Sequence, residues 1–85
     1  MQKKEKQINK KIILIKILEI EPQNPMILSN LGACLNHLFE FKKSLMYSYE
    51  VLKQVPNDVN TISNIGLSYF QLENLKESLS FFKKA

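Results

Sequence analysis

The chain's only two glycines, Gly32 and Gly66, lie 34 residues apart, and two of its three prolines, Pro22 and Pro56, have the same separation. A fixed period of this length constrains the fold before any other feature. Each unit must be one supersecondary element that buries its apolar face against a neighbour. Sliding residues 24–51 onto 58–85 pairs Ser29 with Ser63, Asn30 with Asn64, Gly32 with Gly66 and Leu38 with Leu72. It also pairs Lys42 with Lys76, Ser44 with Ser78 and Leu45 with Leu79. These are seven identities in 28 positions, where average composition gives roughly two. Leu28 against Ile62 and Leu31 against Ile65 are conservative exchanges.

Inside the period the apolar spacing is helical. Leu28, Leu31 and Leu35 form one stripe, and Ile62, Ile65 and Tyr69 repeat it. Glycine in a helix interior costs about 1 kcal/mol against alanine, so two at one phase predict a close helix–helix approach. Ser44 and Ser78 are the small residues expected to face them. Phe41, Leu45 and Leu52, then Leu75, Leu79 and Phe82, are expected to supply the packing surface of the second helices. Asn24 suits the N-cap before Pro25, and Asp58 takes the capping place one period later. Pro56 ends a helix, since it lacks an N–H and disfavours a helical Val55. The predicted helices are 3–20, 25–37, 41–54, 59–71 and 75–85.

The string Leu28-x2-Leu31-Gly32-x2-Leu35, followed by Ser44 and Pro56, resembles the tetratricopeptide repeat (TPR). The second copy, Ile62-x2-Ile65-Gly66-x2-Tyr69 followed by Ser78-x3-Phe82, is the closer match. The chain departs from the family pattern at Leu28 and Ile62, which replace the usual Trp, and at Ser48, which replaces an aromatic. Phe39 and Glu73 stand where the family has its inter-helix glycine. The resemblance covers nearly the whole chain. It implies an all-α solenoid, a right-handed superhelical array of antiparallel helix pairs holding about two and a half repeats. Residues 1–24 are then the second helix of a partial leading repeat with a basic N-terminus. Residues 25–58 form a full repeat, and 59–85 a second one truncated at its C-terminal end. About three repeats are usually needed for stability, so the chain is expected to be a fragment of a longer array or to complete itself by association.

Charge is uneven along the chain. Lys3, Lys4, Lys6, Lys10, Lys11 and Lys16 against Glu5 put +5 on residues 1–16, while the remainder carries −1. Such a segment can contact nucleic acid or an anionic membrane, or it can be a solvated first turn. All twelve cationic residues are lysine, as an AT-rich coding sequence would produce, and no aromatic residue is interleaved with the leading lysines. Nucleic acid and membrane are therefore the least favoured partners. Ile12, Ile13, Leu14, Ile15, Ile17, Leu18 and Ile20 are apolar over more than one helix face, as for a helix packed between neighbours. Lys16 and Glu19 interrupt that run, and no small-residue cleavage site follows it, which argues against a signal peptide. The run is also too short and too charged to span a bilayer. A cytoplasmic location is expected, and the single Cys34 excludes an intramolecular disulfide.

The resemblance also implies a site. In the family the first helix of each repeat lines a concave groove, and the matching positions here are Met26, Ser29, Asn30, Ala33, Asn36 and His37. Asn60, Ser63, Asn64, Leu67, Phe70 and Gln71 match in the next copy. An asparagine amide both donates and accepts, so Asn30 and Asn64, in phase, can bond the backbone of an extended peptide whatever its side chains. Some family members clamp a C-terminal carboxylate with Lys and Asn from successive first helices. The corresponding places hold Ser29 and Ala33, or Asn60 and Asn64, which disfavours that clamp.

Cys34 and His37 share a helix face, but neither a third orienting group nor further metal ligands accompany them. No enzyme activity, cofactor or metal is expected. The favoured reading is a non-catalytic protein–protein interaction scaffold that binds an extended or helical segment of a partner. Its alternatives are self-assembly through exposed apolar faces of the terminal helices, and the basic N-terminal contact described above.

Overall fold

A computed structural model describes residues 2–85; Met1, the first residue of the basic leading segment, lies outside them. Five helices follow one another: α1 (Gln2–Ile20), α2 (Pro25–His37), α3 (Phe41–Gln54), α4 (Val59–Gln71) and α5 (Leu75–Lys84). Each packs on the next, and α2 also touches α4, which makes a slab of 33 × 32 × 16 Å. The described residues are all helix and turn, the layout expected of antiparallel helix pairs in a row.

Two kinds of turn alternate. Before α2 and α4 the entry is capped by a side chain. Asn24 Oδ1 accepts from the amides of Met26 at 3.0 Å and Ile27 at 3.3 Å, and Asp58 Oδ2 accepts from the Thr61 amide at 3.2 Å. Pro25 loses nothing at the first helical position, where its missing N–H has no helical partner. After α2 and α4 the chain reverses through a left-handed residue, Phe39 (φ 63°) and Glu73 (φ 61°). The Glu40 amide donates to Leu35 O at 2.8 Å and the Phe39 amide to Asn36 O at 3.1 Å. Asn74 to Tyr69 O (2.8 Å) and Glu73 to Phe70 O (3.0 Å) repeat this one period later. Such paired bonds satisfy the last carbonyls of a helix, and the geometry normally selects glycine. Phe39 and Glu73 thus hold a backbone conformation that glycine adopts without strain.

The glycines bring the paired helices together as expected. Ser44 Oγ donates to Gly32 O at 2.7 Å, and Ser78 Oγ donates to Gly66 O at 2.8 Å. A Cβ on Gly32 would stand 2.7 Å from Ser48 Oγ; one on Gly66 would stand 3.1 Å from the Phe82 ring. Ser48 and Phe82 hold one repeat position, so a small buried residue closes the first pair and an aromatic ring closes the second.

Two apolar clusters form the core. Leu14 of α1 packs with Ile27, Leu31, Cys34 and Leu35 of α2, with Tyr47 of α3 against them. Ile62 and Ile65 of α4 pack with Phe81 of α5, against Leu45, Tyr49 and Leu52 of α3 and Tyr69 of α4. Tyr69 stacks on Phe81 with centroids 5.9 Å apart, and Tyr49 meets the same ring edge-on at 6.0 Å. The two tyrosine hydroxyls are 2.8 Å apart; burial and this bond push the Tyr49 phenol well above its usual range.

The expected packing surface of α5 needs correction. Leu75 (61%), Leu79 (57%) and Phe82 (45%) are exposed, and the buried residues of α5 are Ser78 and Phe81. The counterparts of Leu75 and Leu79, Phe41 and Leu45, are half-buried because α3 is flanked by both α2 and α4, whereas among the described residues α5 packs on α4 alone. Helix α1 behaves alike. Leu14, Ile17 and Leu18 face α2, while Ile8, Ile12, Ile13 and Ile15 are exposed.

Candidate protein-interaction site

The expected groove residues divide by environment. Met26, Asn30, His37, Asn60, Leu67, Phe70 and Gln71 are exposed, and Ser29, Ala33, Ser63 and Asn64 are half-buried. Asn36 is the exception and is removed from the site. It is 7% exposed, its Nδ2 donates to Asn64 O at 3.2 Å, and its Oδ1 accepts from Ser68 Oγ at 2.6 Å. An amide in the interior must satisfy both ends, and Asn36 does so by tying α2 to α4. Its counterpart Phe70 has no such task and is exposed.

Met26, Ser29, Asn30 and Asn60 line one cleft of about 310 Å³, together with Pro25, Val51, Val55 and Asp58. Sequence reasoning missed the two valines because they belong to the end of α3. The signal nearest to them was Pro56, which ends α3 just beyond Val55. Ser29 is partly committed to the fold: its hydroxyl lies 3.2 Å from Thr61 Oγ1, which in turn donates to the Asp58 carboxylate. Among the described residues the side-chain amides of Asn30 and Asn64 take no hydrogen bond within the chain. Ala33, Ser63, Asn64, Leu67, Phe70, His37 and Gln71 lie outside this cleft.

Cys34 is buried, and its thiol donates to Gln7 O at 3.0 Å across the α1–α2 contact. Burial pushes its pKa up, an effect only partly opposed by Lys10 and Lys11, so it is a poor thiolate source. His37 is exposed and makes no hydrogen bond to Cys34 among the described residues. Near Cys34, Lys11 Nζ reaches Glu40 Oε2 at 2.8 Å, and Lys43 Nζ reaches Oε1 at 3.5 Å. The Lys11 bond holds the Glu40 carboxyl below its ordinary range. This pair fastens α1 to the α2–α3 turn. Among the described residues, no helix is long and apolar enough to cross a membrane, and no three His, Cys, Asp or Glu side chains cluster to hold a metal.

No family model and no curated protein matches the chain. Solved structures do. The chain is similar to MamA AMB-1, with a TM-score of 0.80 and 30% identity over 92% of this chain and 48% of that one. It is similar to MamA MSR-1, with a TM-score of 0.77 and 31% identity over 84% of this chain and 41% of that one. A double mutant of MamA RS-1 gives a TM-score of 0.81 at 24% identity over 87% of this chain and 42% of that one, a likeness of fold alone. The chain thus spans about half or less of these proteins' length. The fold is a TPR-like helical repeat.

Proposed function

We propose that this chain is a non-catalytic protein-interaction scaffold that receives an extended or helical segment of a partner along α2 and α4. The observation that carries this reading is the pair Asn30 and Asn64, one repeat apart, with side-chain amides that the chain itself leaves free among the described residues. On the same two helices Met26, Leu67 and Phe70 are exposed, and the 310 Å³ cleft beside Asn30 adds Val55. Apolar contact supplies affinity in such an arrangement, and the amides set the register of a bound backbone. The TPR-like fold supports a binding role, although fold by itself does not choose a partner. The test compares partner capture by the native chain and by an Asn30→Ala, Asn64→Ala variant first verified as helical by circular dichroism. A protein held by the native chain and lost by the variant supports the groove. Equal capture by both sinks it.

Self-association is the second reading, favoured by exposed Leu75, Leu79 and Phe82 on α5 and Ile8, Ile12 and Ile13 on α1. It predicts a mass that rises with concentration and falls back on Leu79→Lys; a mass constant over the range leaves the groove reading alone.

A further inference from the structure

Phe39 sits in the α2–α3 turn in the left-handed region, and its ring is 75% exposed. Glycine would relieve the backbone and remove the exposed ring, so the residue is unfavourable on both counts. Strain retained at one position points to use there. Its counterpart Glu73 shares the backbone but presents a charge that water solvates; only Phe39 also holds an apolar ring in solvent.

That ring forms a ridge between two concavities. One, of about 480 Å³, is also lined by Lys3, Lys4, Lys6 and His37. The other, of about 340 Å³, has Phe41, Lys42 and Lys43 in its wall. Phe41 meets Phe39 edge-on at 6.0 Å. Folding therefore surrounds an aromatic pair with five lysines from two distant stretches, a juxtaposition the linear sequence lacks. Lys3, Lys4, Lys6 and Lys42 form no ion pair among the described residues, and the nearby Glu40 is already held by Lys11.

We propose that this patch docks an acidic segment of a partner protein, rich in Asp and Glu and carrying one aromatic or aliphatic residue that seats against Phe39. Charge complementarity selects an anion, and the exposed ring selects an anion with an apolar side chain. One feature favours a peptide over nucleic acid: all the cations are lysines, which lack the planar fork and stacking face of arginine. The patch lies at the far end of α2 from Met26, about 20 Å along a 13-residue helix. It is separate from the cleft that Met26, Asn30 and Asn60 line, and of the expected groove residues it takes in His37.

The test is fluorescence anisotropy with a labelled synthetic peptide in which alternating Asp and Glu flank a central Leu-Phe. Saturable binding is expected, weakening with salt and falling at least about tenfold in Phe39→Gly and in a Lys3→Gln, Lys4→Gln, Lys6→Gln variant. Phe39→Gly keeps the turn, as a thermal melt will verify. Asn30→Ala, Asn64→Ala should bind the peptide like the native chain, which separates this surface from the groove. Absence of saturable binding overturns the proposal, as does equal binding by Phe39→Gly. So does tighter binding of single-stranded oligothymidylate or phosphatidylserine vesicles that is lost in the same variants.

Discussion

Replacing Gly32 by alanine probes the approach of α2 to α3 directly. Alanine gains about 1 kcal/mol of helix propensity over glycine. Against this, the new Cβ would stand 2.7 Å from Ser48 Oγ, inside van der Waals contact, and Ser48 is 1% exposed and has no room to swing into solvent. Overpacking of this kind costs roughly 1–3 kcal/mol, so Gly32→Ala should lose about 1 kcal/mol net. The Ser48 hydroxyl is itself buried with no hydrogen-bond partner. An unsatisfied buried hydroxyl costs on the order of 1–3 kcal/mol, so Ser48→Ala should gain about 1. In the double variant the clash disappears while the propensity gain stays, which puts it about 2 kcal/mol above the native chain. Additive single effects would sum to about zero, so the cycle predicts a coupling near 2 kcal/mol. Urea denaturation followed by far-ultraviolet circular dichroism measures all four chains. A double variant equal to the sum of the singles would refute the close-approach argument, as would a Gly32→Ala chain more stable than native. Gly66 is the internal contrast. Its Cβ would meet the Phe82 ring at 3.1 Å, but that ring is 45% exposed on the last helix and can move outward. Gly66→Ala should be neutral or gain up to about 1 kcal/mol.

Asn36→Ala removes the amide that joins α2 to α4 and should cost about 1–2 kcal/mol in the same assay, whereas Asn30→Ala should cost little. Glu73→Gly relieves a left-handed side-chain-bearing residue and should raise stability by about 0.5–1 kcal/mol; a lower midpoint would count against strain there. Glu40 is held below its ordinary value of about 4.5 mainly by its bond to Lys11. Its contribution is therefore complete above that value and lost as pH falls through the lowered one. It is on the order of 1 kcal/mol for a pair about a quarter exposed. Lys11→Ala should reduce stability near neutral pH and flatten the acid limb of the stability–pH curve; an unchanged limb would show that the pair is idle.

Groove membership was only partly legible in the residues. Phase put Asn30, Asn36 and Asn64 on the first helices alike, and repeat spacing carries no information about which amide meets a neighbouring carbonyl. Asn36 is buried because Asn64 O and Ser68 Oγ arrive from α4, 28 and 32 residues later. The aromatic surround of the leading lysines was illegible for the same reason. Phe39 is far from Lys3 in sequence and joins it only when α1 docks on α2.

What the amino-acid sequence determined alone were the features that act over a few residues. The predicted helices agree with the observed ones to within a residue at each end, because helical stripes, the Asn24 and Asp58 caps and the Pro56 stop are local devices. The 34-residue period added the pairing of Gly32 with Ser44 and of Gly66 with Ser78, since recurrence converts local pattern into contact. Only the tertiary structure decided which apolar residues are covered. Leu45 and Leu79 occupy one repeat position, yet α4 lies over the first and, among the described residues, no helix lies over the second. Burial belongs to the neighbour as much as to the residue.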